Sequence, residues 1–93
     1  MLDIIDTHQH LWNLDRLKLP WVEGVPALNR SFEISDYLKA SASSGIRRTV
    51  YMEVDAHPID KQKEIDDMTP HCQEDSDLIL GMVVSADPGK PGF

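Results

Sequence analysis

Three short apolar stretches alternate with two segments of helical spacing, and this order limits the folds open to the chain. The strands predicted around them lie at residues 2–6, 47–55 and 78–85, and the helical segments at about 35–44 and 58–75. Strands joined through helices run parallel in one sheet, and such crossovers are right-handed. The order therefore predicts an α/β fold with a parallel sheet, and no internal repeat interrupts it.

Capping residues define the ends of the predicted helices. Ser35 is the predicted N-cap of the first helix, and Gly45 stands where a left-handed residue commonly ends a helix. In the second helix Ile65, Met68 and Cys72 share one face. Pro70 is expected to kink or split that helix, because an interior proline removes a backbone hydrogen bond and clashes with the preceding turn.

The second strand has two different faces. Val50, Met52 and Val54 form an apolar face that we expect to pack under the helices. The opposite face becomes more polar toward its end and comprises Thr49, Tyr51, Glu53 and Asp55. The carboxyl ends of parallel barrel strands open into the active site, which makes Glu53 a candidate substrate-binding residue. Asp55 is more simply a charged strand end that enters a loop.

A His-x-His pair follows the first strand. Side chains alternate along a strand, so His8 and His10 are expected on one face with Asp6 on the same side. Two imidazoles at this spacing can hold one metal ion, or bind an anionic substrate group without a metal. The pair also has a purely structural interpretation as the end of a half-buried strand. Its position at the end of the first strand favours the functional one.

The motif with its surroundings resembles a known family. Residues 6–12 read Asp-Thr-His-Gln-His-Leu-Trp, and Pro20 and Trp21 follow a little downstream. This pattern is similar to the opening of the amidohydrolase superfamily, in particular its amidohydrolase-2 branch. That branch includes L-fuconolactonase-like lactonases and predicted metal-dependent TIM-barrel hydrolases. The resemblance implies that residues 1–93 form the N-terminal third of the domain, with the first three strands and two helices of a (β/α)8 barrel of roughly 250 residues.

The resemblance also implies a site and a chemistry. His8 and His10 are the first-strand members of a divalent metal site, typically zinc, whose other ligands come from later strands. Water activated there attacks a lactone, ester or amide carbonyl, with a sugar lactone as the expected substrate. Some members of the branch work without a required metal. Asp6 is expected to orient His8 or its backbone from behind the site. Two imidazoles are too few for a catalytic zinc site, so we expect the 93 residues alone to be inactive, as a fragment or a truncated gene product.

Charge and composition exclude several other classes of protein. The formal net charge is −7, which argues against binding to nucleic acid and gives no support for an anionic membrane. No apolar run is long enough to cross a bilayer, and no signal peptide is evident. Cys72 is the only cysteine, so an internal disulfide is excluded and a cytoplasmic location is expected.

Two further interpretations of the chain remain open. A non-catalytic remnant or interaction domain would persist by docking to a partner or to itself through its exposed sheet edge. A complete flavodoxin-like domain is disfavoured because no glycine-rich phosphate loop follows the first strand. Residues 11–30 are predicted to form a long loop over the mouth of the site, anchored by Trp12, Leu19, Trp21 and Val25. His57 and His71 are expected to have structural or surface roles.

Overall fold

The computed structural model describes residues 3–73 and 78–91, and in them strands and helices alternate. The elements are β1 (Ile4–Gln9), α1 (Ile34–Ser41), β2 (Ile46–Met52), α2 (Lys61–Gln73) and β3 (Ile79–Val83). Short 3-10 helices at Pro20–Val22 and Pro58–Asp60 precede α1 and α2. The strands form one parallel sheet in the order β1-β2-β3. The predicted first strand includes residue 2 and the predicted second helix includes residues 74–75. These positions, like residues 92–93 at the end of the chain, lie outside the described residues.

The pairing of β1 with β2 is irregular next to the His-x-His pair. Asp6 is paired with Thr49 and Gln9 with Tyr51, so three steps along β1 match two along β2. An extra residue of this kind interrupts the alternation of side chains between the two faces of a strand. Residues before and after the irregularity therefore do not follow the simple period of two that the sequence predicted.

The core lies between the sheet and the helices. Two right-handed crossovers between adjacent strands place α1 and α2 on the same face of the sheet. Thr49 and Tyr51 of β2 are 0% and 1% exposed, and Tyr51 contacts Glu64 of α2. The buried apolar residues are Leu11, Trp12, Leu17, Leu19, Val22, Tyr51, Val54, Ala56, Met68 and Ile79.

This arrangement corrects the predicted faces of β2. The prediction placed Val50, Met52 and Val54 under the helices. Val54 is buried, but Val50 and Met52 are only half-buried, whereas Thr49 and Tyr51 are buried. The apolar alternation identified the two faces but not which of them the helices cover. Tyr51 can be buried there because its hydroxyl finds partners beneath the helix layer.

The opposite face of the sheet carries exposed apolar side chains. Ile5 is 54% and Val83 48% exposed, and Leu80, at the register shift of β3, is 49% exposed. No element among residues 3–73 and 78–91 packs over this face, which corresponds to the inner face when such a sheet closes into a barrel. Exposed apolar surface of this kind marks a contact surface.

The start of α1 and the course of α2 past Pro70 both differ from the prediction. The N-cap of α1 is Glu33 rather than Ser35, because Asp36 accepts a hydrogen bond from the Glu33 N–H at 2.9 Å and completes a capping box. That bond holds the pKa of Asp36 below its usual range. Pro70 does not split α2, which runs on to Gln73. Since Pro70 lies in the last turn, only a short length of helix follows it.

The loop after β1 is held to the core at five buried positions, of which Trp12 is one. Leu11, Leu17, Leu19 and Val22 are each at most 5% exposed. Trp12 pairs with Phe32 through two backbone hydrogen bonds of 2.8 Å. Trp12 and Leu19 are anchors as predicted, whereas Trp21 and Val25 are 41% and 39% exposed. No helix among the described residues is long and apolar enough to cross a membrane.

Gly45 supplies the turn from α1 into β2, as its position in the sequence indicated. It has a φ of 86° and is buried, and its carbonyl accepts a hydrogen bond from Ile4 N–H at 3.0 Å. A side chain at positive φ is strained, so Gly45→Ala should lower the free energy of unfolding by about 1–2 kcal/mol. Urea unfolding would measure this, with Ala40→Gly in α1 as the reverse exchange. An unchanged midpoint for Gly45→Ala would contradict the assignment.

Candidate active site

The two histidines meet at the carboxyl end of β1. His8 lies in the strand and His10 directly after it, and both side chains are exposed. Their ring centroids are 4.8 Å apart with an interplanar angle of 76°. The sequence therefore predicted correctly that the two imidazoles come together.

One ring of the pair is oriented by the backbone of the next strand. The Nδ1 atom of His10 lies 3.1 Å from the carbonyl oxygen of Met52. A carbonyl only accepts, so this contact is a hydrogen bond when Nδ1 carries the proton, and Nε2 then presents its lone pair. Histidines that ligate metals are commonly fixed in this way.

Asp6 contacts the backbone of the His-x-His motif and a tyrosine of α1. One carboxylate oxygen accepts a hydrogen bond from the His8 N–H at 3.0 Å, and the other accepts from the Tyr37 hydroxyl of α1 at 2.7 Å. Burial and the Asp6 carboxylate raise the pKa of Tyr37 well above its usual range. Asp6 is thus directed toward the helix layer. The register shift between Asp6 and Gln9 interrupts the alternation on which the expected shared face of Asp6 and the histidines rested. The contact of Asp6 with the His8 backbone does occur.

Glu53 and His10 line one pocket at the strand ends. Its volume is about 240 Å³, and its lining consists of His10, Trp21, Glu53, Val54 and Asp55. Glu53 is half-buried, and its carboxylate accepts a hydrogen bond from the Asp55 N–H at 2.6 Å. Asp55 has a φ of 53°, a left-handed conformation that aspartate tolerates better than most residues. The structure therefore brings Glu53 into one pocket with His10, as the position of both at strand ends implied.

Trp21 closes one side of this pocket. Its indole Nε1 donates a hydrogen bond to the carbonyl of Val54 at 2.8 Å, and its ring packs edge-on against Trp12 at 5.6 Å. The sequence interpretation favoured a packing role for the loop aromatics. Trp21 has that role and also lines the pocket, a position that depends on a contact across 33 residues of sequence.

A buried pair beneath the strand ends escaped sequence reasoning. The Tyr51 hydroxyl contacts both the Glu64 carboxylate and the Leu11 carbonyl, the latter at 3.0 Å. The same Glu64 oxygen accepts from the Val54 N–H at 3.1 Å. The pair therefore joins the residue after His10 to the residue after Glu53. Position 64 lies one turn before Met68 on the same helix, and this was the signal that it faces inward.

Burial governs the protonation of this pair. Glu64 is 2% exposed, and desolvation raises its pKa despite the lowering effect of the Tyr51 and Val54 hydrogen bonds. Burial and the Glu64 carboxylate raise the pKa of Tyr51 well above its usual range. The tyrosine therefore remains a donor at all physiological pH values.

The other histidines have structural positions. His57 caps the 3-10 helix at Pro58–Asp60, where its Nδ1 accepts a hydrogen bond from the Ile59 N–H at 3.3 Å, so the predicted capping role is confirmed. His71 was expected at the surface but is half-buried on α2. Within residues 3–73 and 78–91 no three His, Cys, Asp or Glu side chains are grouped so as to hold a metal ion. His8 and His10 could thus supply two ligands of a metal ion, but the described residues do not supply a third.

Comparison with known proteins gives one informative kind of match. No protein-family profile matches the chain, and no curated protein matches it. Solved structures do match, among them an amidohydrolase 2 from Bifidobacterium longum subsp. infantis. It shares 32% sequence identity with this chain at a TM-score of 0.68, over 90% of this chain and 32% of its own length.

This likeness supports the predicted place of the chain in the amidohydrolase superfamily. The predicted fold class is confirmed: β1-α1-β2-α2-β3 has the parallel strands and alternating helices of part of a (β/α)8 barrel. The chain spans about a third of the length of the amidohydrolase that it matches.

Proposed function

We propose that this chain is the N-terminal part of a hydrolase of the amidohydrolase-2 type, which uses water to attack a lactone, ester or amide carbonyl. The observation that carries the proposal is the pairing of His8 with His10 at the end of β1, together with the pocket that His10 shares with Glu53 after β2. Active sites of parallel barrels lie at this end of the strands. The likeness to an amidohydrolase 2 adds support from an independent direction.

In this proposal His8 and His10 would hold a divalent metal ion, with zinc as the first choice. Such an ion lowers the pKa of bound water and polarises a carbonyl oxygen. The chain's own residues prepare the imidazoles for this role. The Met52 carbonyl fixes the orientation of the His10 ring, and Asp6 fixes the backbone at His8. Further ligands would come from strands that follow β3 in the complete barrel.

Glu53 is proposed to bind the substrate. Its carboxylate lies in the pocket with His10 and is an acceptor, as the hydroxyl groups of a sugar lactone require. Trp21 offers an indole face at the same pocket, against which a sugar ring can pack. These features favour a sugar lactone within the wider class of carbonyl substrates. The lone Cys72 supports a cytoplasmic location for the enzyme.

The first test is the mass of the protein produced from its native locus. A mass near three times the 10.5 kDa of these residues would supply the strands that the proposed site requires. The complete protein would then be assayed for hydrolysis of sugar lactones, with and without a chelator. A mass of 10.5 kDa together with no hydrolysis would overturn the proposal.

Variants of the complete protein test the residues. His10→Ala should lower kcat/KM for the hydrolysed lactone on the order of 100-fold, because it removes a proposed ligand of the metal. His57→Ala is the matched control, since His57 caps a 3-10 helix and does not line the pocket. Equal effects of the two substitutions would contradict the assignment of His10.

A second candidate function is self-association without catalysis. Ile5, Leu80 and Val83 favour it, because all three are exposed apolar side chains of the sheet. Strands at open edges also pair readily with another chain. Light scattering of the 93-residue chain distinguishes the two candidates. A concentration-dependent dimer that Leu80→Lys dissociates would favour association, and a monomer would exclude it.

A further inference from the structure

A second and larger cavity opens on the helix side of the sheet, away from the histidine pair. Its volume is about 610 Å³, within the range of sites that bind small organic molecules. The walls come from the loop after β1, from the start of α1 and from one face of α2. The proposed hydrolase chemistry uses none of this space.

The walls of the cavity are largely apolar. Leu17 and Met68 are 5% and 8% exposed, and both line it together with Trp12 and Phe32. The two aromatic rings pack edge-on at 5.0 Å, so they form a fixed wall rather than a mobile one. An apolar molecule with an aromatic ring fits such a wall.

Glu64 provides a buried carboxylate in the lining. It is 2% exposed, and both of its protein hydrogen bonds go to the same oxygen, Oε2. Its Oε1 atom accepts no hydrogen bond from the residues that the structure describes. This oxygen is therefore free to accept a hydrogen bond from a ligand that enters the cavity and donates one.

A second unsatisfied polar atom lies along the same helix face. The Nδ1 atom of His71 is buried and has no partner within the described part of the chain, and His71 also lines the cavity. Seven residues separate it from Glu64, which corresponds to two turns or about 10 Å along α2. The two groups therefore mark opposite ends of one slot, with Met68 between them.

The charge of the lining favours a cation. Four carboxylates line the cavity, those of Glu33, Glu64, Asp66 and Asp67, against the single guanidinium of Arg16. Arg16 is already paired with Asp67 through two bonds of 2.8 and 3.1 Å. A ligand cation would therefore meet an excess of negative charge, and an anion would be repelled.

From these contacts we propose that the cavity is a binding site for a small organic amine with an apolar, preferably aromatic, body. Its ammonium group donates to Glu64 Oε1, and its body packs against Trp12, Phe32 and Met68. A polar group at the far end of the amine reaches His71. The site goes beyond the proposed hydrolase and does not depend on it, since neither histidine of the motif lines this cavity.

Three probes with the same aromatic body test the proposal. 2-Phenylethylamine, 2-phenylethanol and phenylacetate are titrated into the ¹⁵N-labelled chain, and dissociation constants are read from the Trp12 indole resonance. We expect the amine to bind at least about tenfold more tightly than the alcohol, and the acid more weakly than both. Equal affinities for the three probes, or no binding of the amine, would overturn the proposal.

Variants identify the group that binds the ammonium ion. Glu64→Gln should weaken binding of the amine about tenfold and leave that of the alcohol nearly unchanged. Glu23→Gln makes the same change of charge at an exposed loop position outside the cavity and should alter neither. Ser35→Trp fills the cavity from an exposed position on α1 and should abolish binding of the amine without touching Glu64. Retained binding in Ser35→Trp would place the amine elsewhere and exclude this site.

Discussion

Glu64→Ala should lower the free energy of unfolding of the chain by about 2–4 kcal/mol. The substitution leaves the Val54 N–H without its acceptor and the Tyr51 hydroxyl with only the Leu11 carbonyl. A buried donor that loses its partner costs about 1–3 kcal/mol, and a small domain has only about 5–15 kcal/mol in total. Urea unfolding followed by circular dichroism measures the difference.

Two controls separate the hydrogen bonds from the packing. Tyr51→Phe keeps the ring and removes the hydroxyl, so it should cost less than Glu64→Ala because the Val54 N–H remains bonded. Glu23→Ala makes the same exchange on the exposed loop and should change stability by less than about 0.5 kcal/mol. A loss for Glu64→Ala no larger than that of Glu23→Ala would show that the pair does not hold the strand ends.

The pH dependence of stability reports the same carboxyl group. Burial raises the folded-state pKa of Glu64 above its ordinary value of 4.5, so the folded state retains this proton where the unfolded state releases it. The contribution of Glu64 is therefore fully present below the unfolded pKa and falls as the pH rises through the folded pKa. The stability of the wild type relative to Glu64→Gln should decrease over that window. A constant difference across the titration would contradict the raised pKa.

Trp12→Ala should have the larger effect and cost about 3–5 kcal/mol. Trp12 is 9% exposed, packs edge-on against Phe32 and Trp21, and donates its indole N–H to the Arg30 carbonyl at 2.7 Å. It thereby joins the end of β1 to the segment that leads into α1. Removal of the ring leaves a cavity and an unsatisfied carbonyl at once, and this is enough to unfold a marginally stable chain.

The controls for Trp12 use the same measurement. Trp12→Phe retains most of the packing but not the hydrogen bond, so an intermediate loss of about 1–2 kcal/mol is expected. Leu38→Ala removes an apolar side chain of α1 that is 50% exposed and should cost much less. Similar losses for Trp12→Ala and Leu38→Ala would show that the loop after β1 is not part of the core.

The order of elements and the meeting of the two histidines were accessible from the sequence. Apolar stretches of strand length alternate with segments of helical spacing, and both patterns are formed by residues that are close together in the sequence. The parallel sheet follows from that order. A helix between two strands returns the chain to the end of the sheet where the preceding strand began, so the next strand runs in the same direction. Glu53 could be placed near His10 for the same reason, because the carboxyl ends of parallel strands lie together. Gly45 was identified by the single property that distinguishes glycine, its tolerance of positive φ.

Only the tertiary structure decided which faces are covered and which polar groups are satisfied. Asp6 accepts a hydrogen bond from Tyr37 of α1, and a register shift separates it from the histidine end of β1; no local pattern encodes a shift against a neighbouring strand. Tyr51 is buried although it belongs to the more polar face of β2, because Glu64 lies across from it on α2. A buried carboxylate depends on partners far along the chain, so it appears in the sequence only as one more acidic residue. The amino-acid sequence thus determined the strand ends where the candidate site lies, and long-range contacts determined what surrounds them.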